Sequence, residues 1–549
     1  MASTYAGVGV SGGVAVGPVA RVQGPVLPPR DGAPIDADTE TTRAGDALDA
    51  VGDELETLAQ RAGVAGAVLV RQARIARDPS LAALATQLVR TGRAAPRAVW
   101  EAFTAYRDMR AADPMRAVPD RVELDDVRDR VVARLLGEPA PSIPDPGTPY
   151  VLVARDLSPA LTAGLDPARV LGIVTERGGP TSHTAVLAKS IGIPAVVGCP
   201  GVAALRTGQV VMVDGTTGVV TTDPDRDTVS RAEQGSPRPA PTADGPGRTA
   251  DGRPVQLLAA VGNVSDAIDA VAAGAEGVGV FRTEFCFLDR SEPPTVAEQT
   301  AAYREVFETF PGRPVTVRTL DLGADKPASY LRLGDQPNPA LGVRGLRVAR
   351  RQPELLTDQL TAIAAATRGV TADVRVMAPM IATAAEAAWF AAQAREHGVR
   401  TTGVMVEVPA AALRAGDLLQ VVDFVSVGSN DLAQYTFATD RGDSELADLL
   451  DPWQPAFLEL VATVLRAGAM AGRAVNLCGE APSDPLLALV FVGLGAAGLS
   501  MAARSIGEVR ATLLRHTYRQ CTEYAAAALS ADGPSEGRAR VRAAIDSTR

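Results

Sequence analysis

The chain has 549 residues, 46% of them apolar, and its 54 basic and 64 acidic side chains give a formal net charge of −10. That length exceeds one ordinary domain and the apolar content excludes a disordered chain, while the acidic balance argues against nucleic acid as the main partner. The four cysteines (Cys199, Cys286, Cys478, Cys521) are scattered without metal-type spacing, which suits a reducing cytosol, and no apolar run reaches the ~18 residues of a membrane span.

Met1 to Val19 is apolar and Gly-rich but lacks the basic start of a signal peptide. Gly7 to Val22 alternates Gly and Val and predicts strand, turn and strand. From Asp36 to Leu136 apolar residues recur at helical spacing (Ala47, Leu48, Val51, Leu55, Leu58), so amphipathic helices are expected, broken near Pro79, Pro96, Pro114 and Pro119. After the Pro-rich stretch 139–149, β texture returns at Tyr150–Ala154. The first strands are therefore expected to join this later region, giving an α/β domain over 1–35 and 140–228 with a helical insertion at 36–139. Gln234 to Arg253 is rich in Pro, Gly, Ser and Ala and predicts a linker, set at 229–253.

Beyond the linker, eight buried-type strands alternate with helical stretches. They begin at Val255, Gly277, Val315, Val374, Gly403, Phe424, Val475 and Gly498. Eight such units over about 300 residues predict a (β/α)8 TIM barrel across 254–549. In that fold catalytic residues gather at the C-terminal strand ends. Polar residues stand there in this chain: Arg282-Thr283-Glu284, Arg318 with Asp321 and then Lys326, Glu407, Asn430-Asp431 followed by Arg441, and Cys478-Gly479-Glu480. Arginines with a lysine suit phosphate plus carboxylate, since guanidinium binds both bidentately. Two carboxylates, Glu407 and Asp431, would repel unless a cation lay between them, and sparse oxygen ligation is how Mg²⁺ is held. Any one of these residues also reads as a rim ion pair; the whole set on successive strand ends does not. Cys478 reads as a buried apolar filler or, beside Gly479 and Glu480, as a chemical group.

Three histidines are present. His397, in Glu396-His397-Gly398, suits a helix C-terminus, and His516 falls in the C-terminal helical region. His183 stands where Gly178-Gly179 gives way to the expected helix Thr184–Lys189, whose N-terminal amides would favour an attached phosphate. Neutral imidazole is nucleophilic and accepts a phosphoryl group.

The run Glu176–Lys189 (ERGGPTSHTAVLAK), followed by Ile193–Gly198, resembles the phosphohistidine signature of phosphoenolpyruvate-using enzymes. Phe281–Phe285, Arg318–Asp321, Asn338–Arg344, Val406–Pro409, Gly428–Asp431, Gln434–Thr436, Asp440–Gly442 and Leu477–Glu480 complete a series similar to enzyme I of the bacterial sugar phosphotransferase system, over nearly the whole chain. The resemblance implies a swivelling α/β domain carrying phosphate on His183, with a helical subdomain that docks the carrier protein HPr. It implies a homodimeric, cytoplasmic enzyme whose barrel binds phosphoenolpyruvate through Arg282, Arg318, Asn430, Asp431, Arg441 and Lys326. Mg²⁺ would sit on Glu407 and Asp431, and Cys478 would protonate enolpyruvate to pyruvate. Against the common pattern, Pro180 and Lys189 each replace a frequent arginine and Ser158 replaces a threonine. Arg71–Ile75 lacks an expected histidine. Pyruvate phosphate dikinase and phosphoenolpyruvate synthase share the swivel and barrel but carry an ATP-binding domain ahead of the histidine. Here that place is taken mostly by the helical insertion, with no Gly-rich nucleotide loop.

Overall fold

The computed structural model describes the chain apart from residues 1–2, 23–27, 31–35, 60–65, 113–120, 163–164, 167, 180–181, 230–244, 288–289, 291, 324–327, 329, 332, 335, 442–443 and 548–549. The side chains of 66–67, 111–112, 121, 159, 183, 186, 189–190, 444–445 and 447 also lie outside that description. The chain divides into two compact bodies, residues 1–238 with 441–447, and residues 239–440 with 448–549.

The first body contains an eight-stranded sheet in the order β1-β8-β7-β3-β4-β5-β6-β2. Its strands are β1 (Thr4–Ala6), β2 (Val8–Ser11), β3 (Val14–Arg21), β4 (Tyr150–Ala154), β5 (Val170–Thr175), β6 (Ala195–Val197), β7 (Val210–Asp214) and β8 (Val219–Thr222). The Gly/Val segment thus makes three strands where two were expected. Gly7 and Gly13 interrupt it, and Gly13 sits at φ +109, a conformation that favours glycine. β3, β4, β5 and β6 run parallel as a buried centre. The adjacency of β3 and β4 joins the first strands to the later region, as the sequence predicts.

Five helices intervene: α1 (Ala37–Ala59), α2 (Gly66–Ala76), α3 (Pro79–Arg90), α4 (Ala95–Ala112) and α5 (Arg121–Leu136). Pro79 occupies the first turn of α3, where its missing N–H costs nothing, and Asp78 caps that turn by accepting from Ser80 N at 2.8 Å. Leu48, Val51 and Leu55 of α1 close on Leu81, Val99, Tyr106, Val127 and Val131 in one apolar core, so the expected i, i+3/i+4 stripe is the buried face. Pro114 and Pro119 lie outside the described residues.

The second body is a closed barrel of eight parallel strands. They are β9 (Gln256–Val261), β10 (Val278–Arg282), β11 (Pro314–Arg318), β12 (Asp373–Ala378), β13 (Thr401–Val406), β14 (Phe424–Gly428), β15 (Val475–Cys478) and β16 (Gly498–Met501). Every expected strand is present. Alternation sorts their side chains. Val315, Val317, Val425, Val427, Val475, Leu477, Leu499 and Met501 join the large core beneath the helices, whereas Val280, Met377, Met405, Phe424 and Cys478 meet inside the barrel. That second register points Arg318 and Cys478 to the interior mouth. Among the described residues no helix is long and apolar enough to cross a membrane.

Candidate active site

Arg318 closes β11 facing inward and lies within 3.0 Å of Glu284 Oε1 and 3.3 Å of Asp321 Oδ2. Burial disfavours its charge, but Glu284, Asp321 and Glu407 outweigh that and hold the guanidinium above its ordinary pKa. Its Nε is buried with no hydrogen-bond partner among the described residues, so the fork retains a donor for a further anionic group. Arg344 is wholly buried. Its Nε and Nη2 donate to the two oxygens of Asp321 at 3.0 and 2.9 Å, and Nη1 donates to Asp431 Oδ1 at 2.9 Å. A bidentate fork on one carboxylate with a third bond to another is geometry that only arginine provides.

Glu407 follows β13, 1% exposed, and accepts from Met380 N at 2.6 Å. Met380 adopts φ +59, an uncommon conformation for a side-chain-bearing residue, and the hydrogen bond to Glu407 helps to hold it there. Burial, then Asp431 and Asp321, pushes the Glu407 carboxyl up to about 8 against the pull of Arg318 and Arg344. β14 ends in Gly428 because a Cβ there would stand 2.8 Å from Glu407 Oε2. Among the described residues no three His, Cys, Asp or Glu side chains form a metal cluster. Glu407 and Asp431 nonetheless fit Mg²⁺ as a donor set, because their mutual repulsion is what a cation relieves and substrate oxygens commonly complete such a shell.

Asn430 Oδ1 accepts from Ser429 Oγ at 3.2 Å and from Glu480 N at 3.1 Å, which pins it against the β15 end. Cys478, 3% exposed, donates to Val427 O at 3.4 Å. Burial raises its thiol to about 11, with the neighbouring Ser426 hydroxyl opposing and Glu407 adding to the rise. The group therefore keeps its proton at neutral pH, as a proton donor must. Behind the mouth, Gln359 braces two strand ends. Its Oε1 accepts from Leu320 N at 2.9 Å, and its amide donates to Thr283 Oγ1 at 3.0 Å and Tyr303 OH at 3.1 Å. Thr283 in turn donates to Arg318 O at 2.8 Å.

Arg282 is exposed at the end of β10, its guanidinium 5.4 Å from the Phe285 ring centre. Arg441 falls in the short segment that groups with the first body. Lys326 lies outside the described residues. His183 opens α6 (His183–Ile191), one residue before the helix start expected at Thr184; its side chain and that of Lys189 lie outside the description. Ser182 caps α6, accepting from Ala185 N at 3.3 Å. Ser158 donates to Asp126 Oδ1 at 2.7 Å, and Gln72 and Arg130 donate to Asp126 Oδ2 at 3.3 and 3.0 Å. A buried polar junction therefore occupies the Arg71–Ile75 stretch that lacks the expected histidine. His397 caps its helix, with Nδ1 2.8 Å from Gln393 O, and His516 Nδ1 lies 3.1 Å from Tyr524 OH.

Sequence reasoning gave no role to Arg344 or Gln359. Arg344 stood inside a quoted motif; nothing about Gln359, in the middle of a helix, marks it before the strand ends it touches are known.

Three family models cover most of the chain: the N-terminal domain of phosphoenolpyruvate-utilising enzymes at residues 6–115, their mobile domain at 146–218, and their phosphoenolpyruvate-binding domain at 239–518. A phosphoenolpyruvate-protein phosphotransferase of Streptomyces coelicolor is 50% identical over 553 residues, covering 99% of this chain and all of the relative. One from a Bacillus species (strain S) is 36% identical, covering 93% of each. A multiphosphoryl transfer protein of Rhodobacter capsulatus is 37% identical over 97% of this chain and 67% of its own length. The chain belongs to the phosphoenolpyruvate-utilising enzymes and, among them, to the phosphoenolpyruvate-protein phosphotransferases.

Proposed function

We propose that this enzyme moves the phosphoryl group of phosphoenolpyruvate to its own His183, releases pyruvate, and passes the phosphoryl group to a histidine of HPr, the first step of sugar uptake by the phosphotransferase system. The observation that carries this reading is the buried charge array at the barrel mouth, Arg318 and Arg344 among Glu284, Asp321, Glu407 and Asp431, with a donor of Arg318 still unspent. Arg318, Arg282, Arg441, Lys326 and Asn430 hold the phosphate and carboxylate, and Arg344 fixes Asp431 beside them. Mg²⁺, when bound by Glu407 and Asp431, supplies positive charge that the moving phosphoryl oxygens need. The bond between phosphorus and the enol oxygen breaks as a bond to the His183 nitrogen forms, leaving an enolate. Cys478 then gives its proton to the terminal carbon, and pyruvate departs. There is little covalent work beyond positioning and charge stabilisation, which suits a site made of guanidinium forks.

The helical insertion 36–139 is the proposed HPr-docking subdomain, and the α/β region 1–35 with 140–228 is the swivelling carrier of His183. The barrel region 254–549 is assigned to substrate binding and dimerisation, and the enzyme to the cytoplasm. Incubation with labelled phosphoenolpyruvate and Mg²⁺ tests the core of this: an acid-labile, base-stable phosphoenzyme should form, and His183→Ala should not label. Glu407→Ala and Asp431→Ala should each lose most of the label with His183 intact; full labelling of both would refute the metal assignment, and equal labelling from ATP would refute the donor.

A further inference from the structure

One layer beneath Cys478 the barrel interior turns polar, where branched apolar side chains would ordinarily fill it. Val425, Val427, Val475 and Leu477 pack outward, so Ser426 and Asn476 face inward in the same register as Gly428 and Cys478. Ser426 and Asn476 are opposite one another on β14 and β15, and the next inward pair along is Gly428 with Cys478. Both are nine-tenths or more buried, Ser426 1% and Asn476 7% exposed. Among the described residues, neither Ser426 Oγ nor Asn476 Oδ1 has a hydrogen-bond partner. Orphaned buried polar atoms are rare, and two facing one space point to a shared polar guest. Ser500, also inward on β16, donates its proton to Ala259 O at 3.2 Å and keeps lone pairs to accept with. The wall here is built small: a Cβ on Gly498 would lie 2.6 Å from Asn476 Oδ1, which places that oxygen along the inner surface of β16.

The need for such a floor follows from the chemistry above it. When Cys478 gives its proton to the enolate carbon, the S–H electron pair stays on sulfur, and a thiolate is left on a side chain only 3% exposed, where an unsolvated charge is costly. The Ser426 hydroxyl stands one inward position beneath it on the neighbouring strand. We propose that Ser426, Asn476 and one internal water between them form a hydrogen-bonding floor that receives the negative charge left on the Cys478 sulfur. Ser426 donates to sulfur as the proton leaves and is the catalytic member. Asn476 holds the water, which in turn orients the Ser426 hydroxyl, and is a positioning residue. The inference rests on the proposed role of Cys478 as proton donor.

The test compares Ser426→Ala, Ser426→Thr and Asn476→Ala with wild type and Cys478→Ala, using stereospecifically labelled phosphoenolpyruvate in deuterated water with HPr as acceptor. Ser426→Ala should lower kcat for pyruvate formation at least tenfold, leave KM for phosphoenolpyruvate within twofold, and scramble the pyruvate methyl stereochemistry. Ser426→Thr, which keeps the hydroxyl, should recover most of the rate, and Asn476→Ala should fall between. Among the described residues neither oxygen bonds another protein atom, so the alanine variants lose only the proposed water contact and should melt close to wild type; a melting-temperature drop shared by Ser426→Ala and Ser426→Thr would make the pair structural and overturn the inference. Wild-type rate and stereospecificity in Ser426→Ala would overturn it too. If Cys478→Ala itself gave stereospecific pyruvate at the wild-type rate, the underlying role of Cys478 would fall instead.

Discussion

Arg344 shows how much of this site is held by single side chains. Its guanidinium is wholly buried between Asp321 and Asp431, so its loss leaves Asp321 to Arg318 alone at 3.3 Å and strips Asp431 of its buried ion pair with Arg344. Arg344→Met should cost about 3–5 kcal/mol in denaturant unfolding, and Asp321→Asn placed on top of it should return part of that, because breaking a buried pair is dearer than removing both charges. The cysteines give a second residue-scale expectation. Burial raises Cys199, Cys286 and Cys478 to about 11 and Cys521 to about 12. At pH 8 a thiol of pKa 11 is about 0.1% thiolate, so the folded enzyme should react with a thiol reagent far more slowly than the same chain in denaturant. A fast-reacting equivalent in the folded state would show that one thiol is opened to solvent. Residue by residue, the strand-end acids, arginines and Cys478 were legible because charged groups at the ends of apolar runs need a reason to be there. Their pairings were not. That Arg344 spends its fork on Asp321 and Asp431 depends on side chains 23 and 87 positions away in sequence.

At the scale of elements, the eight barrel strands could be read in advance because each is a short apolar run buried on both faces. Helices announced themselves by periodicity and by prolines in first turns. What failed was counting: the Gly7–Val22 segment holds three strands, and only the pairings of β1 with β8 and β2 with β6 separate them. Long-range braces were equally hidden. Gln359→Leu would leave the buried Leu320 N–H without its partner, at a cost of about 1–3 kcal/mol, while Thr283 and Tyr303 keep the bonds they donate to Arg318 O and Gln299 Oε1. Chemical denaturation of that variant checks it. The helix Val296–Thr309 opens with a capping box, Thr295 Oγ1 accepting from Glu298 N at 3.2 Å and Glu298 accepting from Thr295 N at 2.8 Å. Those bonds, first the Thr295 N–H and then Arg290, hold Glu298 down from 4.5 to about 2. A carboxyl whose folded pKa is depressed stabilises the fold above its unfolded pKa and stops doing so as pH falls through the folded one. Glu298→Gln should therefore narrow the difference from wild type as pH drops from about 4.5 toward 2. An unchanged gap across that range would show that the box does not hold the helix end.

The whole molecule pairs a body carrying a histidine at a helix start with a barrel whose mouth is lined for an anionic substrate. Each half was readable from its own motifs. The grouping of Arg441–Ala447 with the first body was not, since nothing local in those residues distinguishes them from the rest of the barrel chain. In the proposed relay His183 links the barrel's chemistry to an external acceptor, and one measurement tests that link directly. Pyruvate release should be followed after mixing enzyme, Mg²⁺ and phosphoenolpyruvate, first without and then with HPr. One pyruvate per active subunit should appear without acceptor, no such burst in His183→Ala, and continuous release once HPr is present with one phosphoryl group on HPr per pyruvate. Sustained release without HPr, or a full burst from His183→Ala, would contradict it.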